Sequence, residues 1–132
     1  MAVVLTEVAA CGVSDSVKVQ LASVRFHIRF KESKFQDIYS QASSTFLKSD
    51  IKEEDFVAKL RETSLKVGEI REVKSENKYQ LPTVLRLTNS VLITDTYSIK
   101  GANGNFVELI QWELRGGKVE LAGYDCLPDT ID

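Results

Sequence analysis

The sequence predicts an α+β domain, with N-terminal helices packed on one face of a strongly twisted antiparallel β-sheet. Three observations carry that expectation. Apolar residues recur at helical spacing through the first half of the chain, polar–apolar alternation takes over in the last third, and glycine-bearing turns separate the alternating runs. A chain of 132 residues is one domain by length and long enough to bury a core. Apolar content is 43% and the formal net charge is −2, with cations and acids interspersed. No basic stripe with stacking aromatics appears, so nucleic acid is not an expected partner. No run reaches the length of a transmembrane helix.

The first residues, MAVVLTEVAAC, stand apart. Val8-Ala9-Ala10-Cys11, followed by Gly12 and the polar Ser14-Asp15-Ser16, resembles a bacterial lipobox, in which cleavage before the cysteine frees it for lipidation. Glu7 and the lack of a preceding cation depart from that pattern. The expectation is an N-terminal tail or remnant of a lipoprotein signal over residues 1–13 and a single domain over 14–132. Cys11 is then the lipidation candidate, and the cell envelope (lipoprotein or periplasmic) the expected location. A cytoplasmic chain with a frayed N-terminus is the alternative.

From Ser14 to Lys31 the pattern is helical, with Ser14, Asp15 or Ser16 available as N-cap. Val17, Leu21, Val24 and Ile28 form one stripe, while Val19, Phe26 and Phe30 fall on the opposite side. A helix apolar on two sides is expected to be sandwiched. A short helix follows over 35–43, with Phe35, Ile38, Tyr39 and Ala42 inward, and Phe46 and Leu47 plug the next loop into the core. Ser49 or Asp50 begins a third helix, whose first turn holds Glu53 and Glu54 at the positive end of the dipole. Phe56, Val57, Leu60, Ser64 and Val67 form its inner side, and Gly68 ends it. The charged, alternating segment 69–78 reads as an edge strand, residues 80–83 as a turn, and 84–87 as a short strand.

The last third is a three-stranded meander. Gly116-Gly117 is a strong two-residue hairpin signal, because primed turns need positive φ at their centre. Gly101-Ala102-Asn103-Gly104 makes the other turn. Tight closure of both turns stacks Val91–Leu114–Val119, Ile93–Trp112–Leu121, Asp95–Ile110–Gly123, Tyr97–Glu108–Asp125 and Ile99–Phe106–Leu127 on one face. A one-residue slip on any strand would scramble this segregation.

The order of these elements resembles the cone-shaped fold of the nuclear transport factor 2-like (cystatin-like) superfamily, and in particular small bacterial envelope domains within it. The likeness rests on FKESKFQDIYSQAS (30–43), LRETSLKVGEIRE (60–72) and TDTYSIKGANGNFVELIQWELRGGKVELAGYD (94–125). It implies helices closing over the concave face of the sheet. It is silent on activity, because the superfamily spans isomerases, dehydratases, cyclases and non-catalytic domains.

On the expected register Tyr97, Glu108 and Asp125 are cross-strand neighbours, with Asp95 on the same face. Crowded carboxylates in a partly dry site cannot all ionise cheaply, and a protonated acid beside a tyrosine hydroxyl suits proton transfer next to a carbonyl. These four residues are the catalytic candidates. The competing reading is a structural Tyr97–Glu108 hydrogen bond with Asp125 solvated at the rim. Val24, His27, Ile93, Phe106, Ile110, Trp112 and Leu121 are the expected cavity-lining residues.

A single histidine and two distant cysteines, Cys11 and Cys126, give no metal-ligand spacing, so neither a metal nor another cofactor is expected. The cysteines are left as a disulfide, as a lipidated and a buried thiol, or as two reduced thiols. A patch of Val107, Leu109, Ala122 and Tyr124 on the opposite sheet face suggests either a homodimer or cover by the chain termini. The functional expectation is a non-catalytic envelope domain that binds a small ligand or a protein partner through its cone cavity or sheet face. The alternatives are an isomerase or dehydratase with a cavity carboxylate as general base, and a surface-only interaction or immunity-type module.

Overall fold

The computed structural model describes residues 2–76, 83–85 and 90–130, with side chains described over 15–76 and 90–130. It is an α+β fold: helices gathered in the N-terminal half pack against an open antiparallel sheet. The first helix, α1, runs unbroken over Ala2–Lys31, so the chain is already helical through Ser14–Ser16, where a cap was expected. Its buried side is Val19, Ser23, Phe26 and Phe30, at the 4, 3, 4 spacing of one helical face. The stripe of Val17, Leu21, Val24 and Ile28 faces solvent. The expected sandwich is therefore one-sided, and Val24 lines no internal cavity. Two apolar faces competed for the sheet, and the one carrying two phenylalanines buries more area.

A left-handed Ser33 (φ 59°) ends α1. Lys34 N donates to Arg29 O (2.8 Å) and Ser33 N to Phe30 O (3.1 Å), the paired bonds of a Schellman stop. The short α2 (Phe35–Asp37) leads directly into a π-helical turn over Ile38–Ala42, which buries Phe35 and Ile38. Ser44 then caps α3 (Thr45–Asp50), its Oγ accepting from Leu47 N at 3.1 Å. The loop expected to carry Phe46 and Leu47 is thus helical; Leu47 is buried and Phe46 is exposed. Ser44 N also donates to Leu121 O (2.8 Å), tying this corner to the last strand. The helix α4 (Glu53–Val67) carries Glu53, Glu54 and Asp55 in its first turn and buries Phe56, Val57, Leu60 and Val67.

The sheet comprises β1 (Ile70–Ser75), β2 (Thr83–Leu85), β3 (Ser90–Gly101), β4 (Gly104–Arg115) and β5 (Lys118–Pro128). Its order is β1-β3-β4-β5, and β2 pairs with β3 beside β1. Of the turn expected at 80–83, residues 80–82 lie outside the described residues and Thr83 instead begins β2. Gly116 and Gly117 have φ of 57° and 79°, the double positive value that this hairpin turn requires. The β3–β4 register is the one the alternation predicts, with Val91 opposite Leu114, Ile93 opposite Trp112 and Tyr97 opposite Glu108. Between β4 and β5 it holds from Arg115–Lys118 to Trp112–Leu121 and then shifts by one residue, so that Gln111 faces Gly123. Ala122 is the extra residue of a β-bulge.

The bulge decides which side chains reach the core. Beyond it Ile110 faces Tyr124, Glu108 faces Cys126 and Phe106 faces Pro128. Each later residue of β5 is turned to the face opposite the expected one. Tyr124 is therefore buried in the core, while Asp125 and Leu127 are exposed. Gly123 belongs to the same device: a Cβ there would sit 2.5 Å from Gln111 Oε1 on the paired strand.

Candidate functional site

Ser23 and His27 lie one turn apart on α1, so both project toward the sheet. There they meet alternate inner residues of β3 and β4 in two short polar chains. In the first, Trp112 Nε1 donates to Ser23 Oγ (3.0 Å), and Ser23 Oγ donates to Asp95 Oδ2 (2.8 Å). Tyr97 OH also donates to Asp95 Oδ2, at 3.2 Å. In the second, His27 Nε2 meets Glu108 Oε1 at 2.5 Å and Tyr124 OH donates to Glu108 Oε2 at 2.8 Å. The His27 and Tyr97 rings stand edge to face with centroids 4.8 Å apart, which joins the two chains. Asp95 and Glu108 are 1% and 0% exposed, and among the described residues no buried side-chain polar atom lacks a partner. A buried carboxyl group is tolerated when its oxygens are hydrogen-bonded, and Asp95 accepts from Ser23 and Tyr97 while Glu108 meets His27 and Tyr124.

The same environment holds protons on its weaker acids. Burial, and then the neighbouring carboxylates against the lowering influence of Ser23, pushes the Tyr97 hydroxyl up to about 12. Burial and then the Glu108 charge carry Tyr124 well above the ordinary phenol range. Cys126 is pushed up to about 11 by burial and then by Glu108. A group whose folded value is raised contributes stability below its unfolded value and loses it as pH climbs through the folded one. Stability is therefore expected to hold into the range of a free thiol, near 9, and then to fall as pH rises through about 11 and 12. Denaturant unfolding at a series of alkaline pH values measures this. A midpoint that rises over that window would contradict it.

Four sequence-selected residues, Asp95, Tyr97, Glu108 and His27, are brought together under α1. Asp125 is not among them. It sits on the outer side of β5 with its side chain 65% exposed, 3.4 Å from Lys59 Nζ. The bulge at Ala122 removes it from the cluster and inserts Tyr124 in its place. Ser23, Tyr124 and Cys126 are the members that the alternation missed. Ser23 carried a signal, as a small polar residue between Val19 and Phe26 on the aromatic face of α1. For Tyr124 the signal was Ala122-Gly123, a small pair inside a strand, where bulges form. Tyr124 also leaves the outer sheet patch without its aromatic residue.

Ile110, Trp112 and Leu121 are buried in the main core, and Phe106 in a smaller cluster with Val67 and Ile99. The space between α1 and the sheet is filled: Phe26 packs on Tyr124 with ring centroids 4.9 Å apart, and Trp112 is 1% exposed. Ile93 is half-buried and lines an open concavity instead. That crevice, of about 390 Å³, lies where α1 passes the Gly116-Gly117 hairpin. Val19, Val91, Ile93 and Leu114 form its apolar floor, and Asp15, Ser16, Gln20 and Arg115 its polar edge. Lys18 donates from Nζ to the carbonyl of Gly117, one of the lining residues (2.9 Å). A smaller crevice of about 230 Å³ is bounded by His27, Lys31 and residues 70–73 of β1.

Among the described residues no group of three or more histidine, cysteine or acidic side chains is arranged to hold a metal ion, and no helix is long and apolar enough to cross a membrane. Cys126 is a free thiol; the side chain of Cys11 lies outside the described residues, and with it the lipidation candidate. No protein-family model and no curated protein matches the chain.

Proposed function

We propose that this protein is a non-catalytic binding domain of the nuclear transport factor 2-like type, and that its ligand sits in the crevice between α1 and the Gly116-Gly117 hairpin. One observation carries the reading. The carboxylates suited to proton transfer are sealed under α1 with Asp95 and Glu108 already engaged by side chains, while the roomy concavity lies at the mouth of the helix–sheet interface. Its volume is within the range of small-molecule sites, about 300–1,000 Å³. Loss of Asp125 from the cluster removes one of the three acids on which an isomerase-type or dehydratase-type reading depended.

The lining indicates the kind of ligand. An aliphatic floor suits an unbranched apolar body, and Arg115, the one cation of the lining, suits an anionic head. Octanoate is the corresponding probe. Calorimetry should detect octanoate binding and weaker binding of 1-octanol. Arg115→Ala should remove that difference, and Leu114→Arg should abolish both. Absence of binding, or binding that Leu114→Arg leaves intact, would overturn the proposal.

A further inference from the structure

Over the whole chain cations and acids intermingle, but residues 16–31 carry Lys18, Arg25, Arg29 and Lys31 and no acid. None of these four cations takes part in an ion pair among the described residues. The same length of α1 presents Val17, Leu21, Val24 and Ile28 to solvent, each 46–54% exposed. At roughly 100° per residue these four make one narrow stripe, with Lys18, Arg25 and Arg29 along one flank and Gln20 and Lys31 along the other. Arg71 and the partly exposed Val73 of β1 border Lys31 across the small crevice, together with Glu72, which pairs with Lys100.

We infer that this face of α1 lies on an anionic membrane surface. A single row of aliphatic side chains rimmed by cations is the arrangement that enters the headgroup–acyl boundary, the row reaching the acyl chains and the cations meeting lipid phosphates. Long basic side chains on both flanks can extend away from the row while their stems cover it. A second copy of the chain is a poorer occupant, because pairing the two rows sets cationic flanks against each other and supplies no acid to either. An acidic partner helix answers the charge. It also needs apolar holes beside the row to seat its own side chains, and those positions are Lys18, Gln20, Arg25 and Arg29.

The test uses the full chain in a Cys11→Ser background, so that no acyl group contributes. Sedimentation is compared with vesicles of phosphatidylcholine alone and of phosphatidylcholine mixed equally with phosphatidylglycerol. The protein is expected to pellet with the mixed vesicles, less so as salt is raised, and to stay in solution with phosphatidylcholine alone. Leu21→Asp combined with Val24→Asp should abolish pelleting. Arg25→Glu should weaken it about tenfold, and unchanged melting temperatures at these exposed sites would show that the fold is intact. Arg25→Glu alone decides the matter if the double variant melts early. No pelleting with the mixed vesicles, or pelleting that these substitutions do not alter, would overturn the inference. So would a dimer that Val24→Asp dissolves, or tighter binding of an acidic leucine-rich helical peptide than of the vesicles.

Discussion

Trp112→Ala is expected to destabilise the fold by about 3–5 kcal/mol, the range for removing a large aromatic side chain from a packed core. The indole is 1% exposed, sits between Ile93 and Leu121 on neighbouring strands, and faces α1. Its removal leaves a void at the centre of the helix–sheet interface and takes away the donor to Ser23 Oγ. Ser23 keeps its bond to Asp95, so the polar chain is shortened but not broken. Trp112→Phe restores most of the volume without the N–H and should cost less. Denaturant unfolding of the two variants separates packing from hydrogen bonding. Near-neutral Trp112→Ala would mean that the indole is not the keystone between α1 and the sheet.

His27→Ala is expected to cost about 1–3 kcal/mol, as leaving a buried acceptor without its hydrogen-bond partner does. Glu108 is 0% exposed and has no route to water, whereas His27 is 18% exposed along its side chain. Without the imidazole, Glu108 keeps the Tyr124 hydroxyl at Oε2 but loses its partner at Oε1. A buried carboxylate in that position is better lost altogether. The double variant His27→Leu/Glu108→Met should therefore regain much of the stability, because replacing both partners by apolar groups of similar volume leaves no buried polar atom unpaired. A double variant weaker than His27→Ala would place the sensitivity in local packing and remove the hydrogen-bond explanation.

Much of this architecture was legible in the residues, and the places where it was not have physical causes. The Gly101–Gly104 turn and the alternation of β3 and β4 determine a register that the structure reproduces pair for pair, because a buried face penalises any slip. The register that Gly116-Gly117 starts holds only as far as Trp112–Leu121. The bulge at Ala122 was not legible from alternation. Leu121, Ala122, Gly123 and Tyr124 contain no polar residue that would reveal which of them faces inward. One inserted residue then exchanged Asp125 for Tyr124 and changed the chemistry of the cluster. On α1 the periodicity marked both apolar faces correctly but could not rank them. That choice depended on the shape of the sheet surface against which Phe26 and Phe30 pack. The polar chains follow the same division. Asp95, Tyr97 and Glu108 could be placed together from strand spacing alone, but His27 and Ser23 reach them only through packing between elements distant in sequence.

The central claim is that the interior beneath α1 is closed and that ligand enters at the hairpin end of the helix. Methyl NMR of the intact chain during an octanoate titration tests it most directly. Progressive shifts are expected at Val19, Val91, Ile93 and Leu114, which line the crevice, with Ile110 and Leu121 unmoved. Shifts that are largest at Ile110 and Leu121, beside Glu108 and the aromatic core, would mean that the interior opens to ligand, and would contradict it.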